Sequence, residues 1–297
     1  MHVVVGSGSI GSAVALELAE GGEAVRIVTR GGGGPEHPRI ERVAADAGDA
    51  DALLRNAEGA SVVYNCANPQ YFEWPTAWPP MHNAMLRAAR ANDAVLAITA
   101  PLYGYGHVDR PMTEDMPLAA ETVKGRVRAK MWLDTLASGV RAVEVRSSDW
   151  IGPRYSLIDM ALPAMRAGKT VWLPGALDVP HTYTYTGDAA RTLVALARDP
   201  RAWGRPWHTP SVPAMTARQL LTRVAALAGL EAPRLRAYPA LAVRAAGLWD
   251  RFAREFIEVR YQHDRPFVMD SSLVTSEFGL TATPLDDAIR ETLRDAR

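Results

Sequence analysis

Apolar positions in the first half of the chain switch between two periods. Val3, Val4 and Val5 form a short continuous run, and Ile10, Val14 and Leu18 then recur four apart, so the chain opens as strand followed by amphipathic helix. Alternation of Val25 and Ile27 predicts a second strand over 24–28, and Ile40 and Val43 a short third strand ending near Asp46. The same reading predicts helices near 50–56, 81–92 and 123–138, and strands over 61–65, 94–99 and 141–146. Residues 70–80, dense in proline and in Tyr71, Phe72, Trp74 and Trp78, read as an aromatic loop, and 100–121 as a long loop of the kind that often carries function. Strand and helix alternate throughout, which predicts an α/β chain with a parallel sheet covered on both faces. After Pro153 the pattern loosens into short elements, many prolines and an arginine-rich stretch at 234–254. This predicts a nucleotide-binding domain over 1–150 and a smaller substrate-binding domain over most of 151–297. The regular helix at 188–198 is expected to pack back on the sheet.

The turn between the first strand and helix is Gly6-Ser7-Gly8-Ser9-Ile10-Gly11. Its G-x-G-x-x-G spacing, placed between an apolar triplet and an amphipathic helix, fits the dinucleotide-binding fingerprint of a Rossmann-type doubly wound sheet. Gly6 turns the strand, Gly8 leaves room for a pyrophosphate, and Gly11 lets helix and strand approach. Ser9 and Ile10 open a helix whose free N–H groups and dipole favour phosphate.

Composition narrows the field. Lys plus Arg and Asp plus Glu are 33 each, so no net charge draws the chain to nucleic acid or an anionic membrane. No apolar run approaches the roughly 20 residues that span a bilayer, and the chain begins with a strand rather than a leader. A single cysteine, Cys66, excludes an internal disulfide and a cysteine-based zinc site. A cytoplasmic protein with a small-molecule substrate is expected. His181, His208 and His263 are scattered without metal-ligand spacing, so no metal site is expected.

These landmarks, with several later ones, resemble the atypical branch of the extended short-chain dehydrogenase/reductase family, whose members are epimerase/dehydratase-like. Asp46 falls where that family places an acid near the adenine, and Asn65-Cys66-Ala67 matches the strand end that lines the cofactor, which implies Asn65 and Ala67 as cofactor contacts. Thr99, ahead of Tyr103-Gly104, matches the catalytic Ser/Thr, and Thr113-Glu114-Asp115-Met116-Pro117 resembles T-E-D-x-P. The segment 146–153, R-S-S-D-W-I-G-P, resembles R-P-x-N-V-Y-G-P, and 181–189, H-T-Y-T-Y-T-G-D-A, resembles R-D-F-I-Y-V-D-D-V. The resemblance covers nearly the whole chain and implies homodimerisation through the helices near 81–92 and 123–138.

One departure bears on chemistry. The family's Y-x-x-x-K is absent; in the register that keeps the glycine after the Tyr, Lys124 stands for the Tyr and Arg128 for the Lys, whereas a second register would use Arg126 and Lys130. Hydride transfer to a carbonyl leaves an alkoxide that needs a proton donor or a counter-charge. Lys124 is the candidate for that role, its pKa lowered by burial and by the neighbouring cation of Arg128. Arg128 would also hold the ribose hydroxyls, Thr99 would orient the carbonyl, and Tyr105 is the reserve acid. The second strand ends in Thr29-Arg30 with no acid, which suits the 2′-phosphate of NADP better than the ribose of NAD. Asp149 replaces the Asn that meets a nucleotide-sugar diphosphate in the family, and a carboxylate there is repulsive. Phe72, Trp74, Tyr103, Asp149 and Trp150 are the expected substrate wall, with Trp78 beside Trp74 in the same stretch. The first expectation is therefore an NADP-dependent oxidoreductase acting on a carbonyl or alcohol of a small organic molecule. The alternatives are a nucleotide-sugar epimerase/dehydratase and a non-catalytic NADP(H)-binding regulator.

Overall fold

The computed structural model describes residues 1–154 and 156–295. Its centre is a seven-stranded sheet with every pairing parallel. The first six strands are β1 (His2–Val5), β2 (Val25–Thr29), β3 (Ile40–Ala44), β4 (Val62–Asn65), β5 (Val95–Pro101) and β6 (Ala142–Ser147). Smaller strands follow: β7 (Asp149–Ile151), β8 (Val171–Leu173), β9 (Tyr183–Tyr185), β10 (Pro206–His208) and β11 (Leu235–Ala237). The order β10-β6-β5-β4-β1-β2-β3 reverses direction beside β1, which opens a crevice at the strand ends next to the glycine turn.

The helices are α1 (Ser9–Glu20), α2 (Ala50–Asn56), α3 (Trp74–Ala91), α4 (Val123–Ser138), α5 (Leu157–Arg166) and α6 (Thr186–Arg198). Beyond them lie α7 (Ala217–Ala228), α8 (Ala240–Ala246), α9 (Arg251–Val259), α10 (Tyr261–Asp264), α11 (Ser272–Phe278) and α12 (Leu285–Asp295). Because successive strand residues face opposite ways, Val4 packs with Ile10, Val14 and Leu18 of α1 and Leu193 of α6, while Val3 and Val5 pack with Leu53, Met85 and Trp132 from α2, α3 and α4. The helix expected at 188–198 thus lies on the sheet as α6, and β10 joins the sheet edge from beyond residue 150.

A third apolar cluster gathers α5, α7 and α12 around β8, with Ile158, Leu221 and Ile289 fully buried. The small pairs β7–β9 and β8–β11 belong to this half. Its α9 returns to the sheet half, where Val259 packs with Trp74, Trp78, Tyr103 and Met131.

The stretch 70–80 is not the loop its composition suggests. After a 3-10 turn at Tyr71–Glu73, the helix α3 begins at Trp74 and runs through Pro75, Pro79 and Pro80. Pro75 sits in the first turn, where its missing N–H costs nothing. Pro79 and Pro80 each remove a helical bond, but Trp74 and Trp78, one turn apart, are buried on the inner face. That packing outweighs local propensity.

Candidate active site

The amino-terminal turn is built from backbone. Gly6 has φ +99°, and a Cβ there would come within 2.7 Å of the Cys66 carbonyl oxygen; a Cβ on Gly11 would run into the carbonyl oxygen of Gly6. Gly8, the N-cap of α1, faces open space and offers no side-chain cap, so the first N–H groups of α1 remain available to a ligand. Ser9 donates its hydroxyl proton to the Pro153 carbonyl, tying the turn to the segment after β7, and Ile10 is buried beneath it. At the end of the adjacent β4, Asn65 is fully buried, yet neither its amide nitrogen nor its oxygen has a partner. An orphaned amide beside an uncapped helix N-terminus is what a bound dinucleotide would satisfy. The residues present therefore fit a nicotinamide nucleotide.

The other cofactor candidates lie on the same rim. Thr29 ends β2 and donates to the Gly33 carbonyl at 3.1 Å; Arg30 follows it, exposed and without a partner among the described residues. Asp46 is exposed and accepts from the Gly48 N–H at 2.8 Å. Ala67 is half-buried just past β4.

The other candidate end of the site is assembled around α4. Thr122 caps that helix by accepting from the Gly125 N–H at 3.1 Å. One turn apart, Lys124 and Arg128 point inward and are buried, whereas Arg126 and Lys130 face solvent, Lys130 pairing with Asp134 at 2.8 Å. Lys124 does not stand against a bare cation as expected. Its ammonium is clamped by Glu255 and, at 2.7 Å, by Glu258, both from α9, and Glu258 also accepts from its backbone N–H at 2.8 Å. Two carboxylates thus face the amine where the sequence reading placed only the cation of Arg128.

Arg128 donates to the Thr99 carbonyl on β5 and lies 4.8 Å from the Trp78 ring centroid, while its Nε, also buried, has no partner. Burial pulls its pKa down to about 10. Trp74 and Trp78 thus form the bed of this guanidinium, and Trp74 stacks on Tyr103 at 6.0 Å. The Tyr71 and Tyr103 hydroxyls lie 2.6 Å apart, with the Lys124 ammonium 5.4 Å from the Tyr71 ring centroid. One phenol donates to the other, which leaves one O–H proton free. Burial pushes Tyr71 up to about 12 and Tyr103 well above the usual phenol range.

Three expected residues serve elsewhere. The Tyr105 hydroxyl meets His208 Nε2 at 2.7 Å, and His208 Nδ1 meets the Asp270 carbonyl oxygen at 2.6 Å. A carbonyl only accepts, so His208 carries its proton on Nδ1 and Tyr105 donates its own to Nε2. That proton is spent inside a buried cluster, which removes the reserve acid from the crevice. Trp150 packs against the core under α1 and α6, and Phe72 is exposed beneath the Arg251 guanidinium at 3.9 Å. Asp149 stands near enough to act electrostatically on Tyr71 and Tyr103. Burial alone would raise its pKa, but His181 and His263 outweigh that and hold it down at about 2.

Sequence reasoning missed Glu255, Glu258, Tyr71 and the gathering of His181 and His263 about Asp149. The two glutamates are three apart on α9, a pattern that marks a shared helix face but names no partner.

A family model described as the NAD dependent epimerase/dehydratase family matches residues 2–208. A search of curated proteins returned no match. Among solved structures, the chain is similar to UDP-glucose 4-epimerase from Thermotoga maritima with UDP-glucose, at 15% identity and a TM-score of 0.81, covering 99% of this chain and 98% of that one. It is also similar to the Bordetella bronchiseptica enzyme WbmH in complex with NAD+, at 18% identity and 0.78, covering 99% and 97%. The third is dTDP-glucose 4,6-dehydratase from Bacillus anthracis in complex with NAD, at 16% and 0.78, covering 99% and 96%. At such identities the likeness concerns the fold.

Proposed function

The chain belongs to the NAD dependent epimerase/dehydratase family, and from that premise we propose that it oxidises and re-reduces a nucleotide-sugar-class substrate with a retained nicotinamide cofactor. The observation that carries this reading is the intact cradle: an uncapped α1, two glycines with no room for a Cβ, and the orphaned amide of Asn65. The solved neighbours include an epimerase with UDP-glucose and a dehydratase with NAD, which favours this reading over a general carbonyl reductase.

In this reading the cofactor, when bound, accepts and returns a hydride, and the chain does the rest. The α1 amides and Gly8 receive the pyrophosphate, Asn65 fills its orphaned bonds, and Arg128 offers its free Nε to the ribose. Thr99 orients the substrate oxygen. Lys124 acts as a fixed cation that stabilises negative charge on that oxygen, while the Tyr71–Tyr103 pair supplies the mobile proton. The half-exposed Leu136 and the more exposed Leu133 on α4 mark the face through which a second copy would pack.

A second reading, an NADP-dependent oxidoreductase on a small carbonyl compound, is favoured by Arg30, an exposed guanidinium just past the end of β2, unpaired among the described residues and with no acid next to it in the chain. One experiment separates the two. Under the first, purified protein carries nicotinamide nucleotide and converts UDP- or dTDP-hexoses with no net change in absorbance at 340 nm. Under the second, added NADPH is consumed one for one with substrate, and Arg30→Ala weakens NADPH about tenfold while sparing NADH. Equal weakening of both cofactors removes the case for NADP. Failure to bind either nucleotide at millimolar levels overturns both readings.

A further inference from the structure

Asp149 on β7, His181 just before β9 and His263 in α10 come from three separate segments, yet their side chains converge. Asp149 Oδ2 lies 3.1 Å from His181 Nε2 and 3.7 Å from His263 Nδ1, and the three ligand atoms all fall within 4.8 Å of one another. Among the described residues no other trio of His, Cys, Asp or Glu does so.

The tautomer of His181 sharpens the observation. Its Nδ1 faces the Gln262 carbonyl oxygen at 3.2 Å, and a carbonyl only accepts, so Nδ1 carries a hydrogen. Nε2 is therefore the ring atom that faces the Asp149 carboxylate, at 3.1 Å and in a side chain 5% exposed. Metal-bound histidines are oriented in the same way, the far N–H donating to a backbone carbonyl.

We propose that Asp149, His181 and His263 form a binding site for one divalent transition-metal ion of the zinc type, with a coordination position left open to the crevice. An ion holding nitrogen and oxygen at about 2.0–2.1 Å in tetrahedral geometry keeps its ligand atoms roughly 3.3 Å apart, and the two distances to Asp149 bracket that value. The two imidazole rings stack, 6° between planes with centroids 5.4 Å apart, which fixes both side chains beside Asp149. Phe267 stacks on His181 and Phe256 on His263, giving the site apolar walls. Asp149 and His263 remain about a third exposed, which provides an entry path. Two imidazole nitrogens and a carboxylate oxygen as donors suit zinc, cobalt or nickel better than magnesium or calcium. A bound ion would also reverse the charge that Asp149 shows to an anionic substrate. That consequence rests on the nucleotide-sugar reading; the binding itself does not.

Chelator-stripped full-length protein is titrated with Zn2+ and with Co2+, and retained metal is measured after desalting. The expected result is one equivalent per chain, with visible absorption from four- or five-coordinate Co2+. Asp149→Asn and His263→Phe should each weaken binding by more than the 10–100-fold typical of an outer-shell partner. His37→Ala should leave it unchanged, and circular dichroism confirms that each variant is folded. His263→Phe keeps the aromatic stack on Phe256 and serves if Asp149→Asn does not fold. No retained metal, or equal affinity in wild type and both variants, overturns the site and leaves a proton between Asp149 and His181. Nicotinamide binding is measured on the same samples, so loss of the functional reading and loss of the metal site are told apart.

Discussion

The two ends of the crevice are made differently. The nucleotide end is backbone: glycines, free amides and a helix terminus, all from the first stretch of chain plus Asn65. The proposed reacting end is side chains from distant segments: Lys124 and Arg128 from α4, Tyr71 and Tyr103 from the turns flanking α3 and β5, Glu255 and Glu258 from α9, and Asp149 with His181 and His263. A backbone cradle tolerates little sequence change because each glycine is fixed by sterics. A side-chain site can be rewritten one residue at a time while the sheet stays put, and here it holds a lysine between two glutamates. The cofactor end can therefore be read by resemblance; the reacting end has to be read from its own geometry.

Four measurements test that contrast. The largest effect is expected at the cradle. Gly11→Val should abolish nicotinamide-nucleotide binding, a loss of at least about 100-fold by calorimetry, because its side chain collides with Gly6 where the turn must close. Retained affinity would mean that the turn is not the phosphate site. At the other end, Lys124→Met strands two carboxylates that share one buried cation. Urea unfolding should show a loss of about 3 kcal/mol with nucleotide affinity kept. Adding Glu255→Gln and Glu258→Gln should recover most of it; no recovery would show that Lys124 stabilises through something other than this pair.

A third test concerns the packing of α3 on α4, which beds Arg128. His82 donates from Nε2 to Thr135 Oγ1 at 3.1 Å, and burial, aided by Arg128, lowers its pKa to about 4. The folded state then binds fewer protons than the unfolded one below pH about 6.5. Its contribution is full above that pH and is lost as the pH falls towards about 4, on the order of 3 kcal/mol. His2 and His208, also lowered to about 4, act in the same direction. His82→Gln should flatten part of this acid slope in urea midpoints measured from pH 7 to 4; an unchanged slope assigns it to the other two. The smallest effect is Thr122→Ala, which removes the cap of α4 and should cost about 1 kcal/mol. A cost near zero would mean that contacts with α9 alone hold the start of that helix.

Hydrophobic period determined the alternating strands and helices and the parallel sheet, and glycine spacing the first turn, because each depends on residues a few positions apart: Val3 to Val5, Ile10 to Leu18, Gly6 to Gly11. Lys124 and Arg128 were singled out by resemblance, through the glycine at Gly125, and their spacing of four is one helical turn. The start of α3 was hidden, as proline signals a break locally and only the burial of Trp74 and Trp78 overrides it. Tertiary structure decided the chemistry that spans the chain. No spacing in the sequence joins Lys124 to Glu255 and Glu258, turns Tyr105 towards His208, or brings His181 and His263 to Asp149. Those contacts arise because a chain folded around a sheet returns α9 and α10 to the crevice, and Coulombic and hydrogen-bond energies act through space rather than along the backbone.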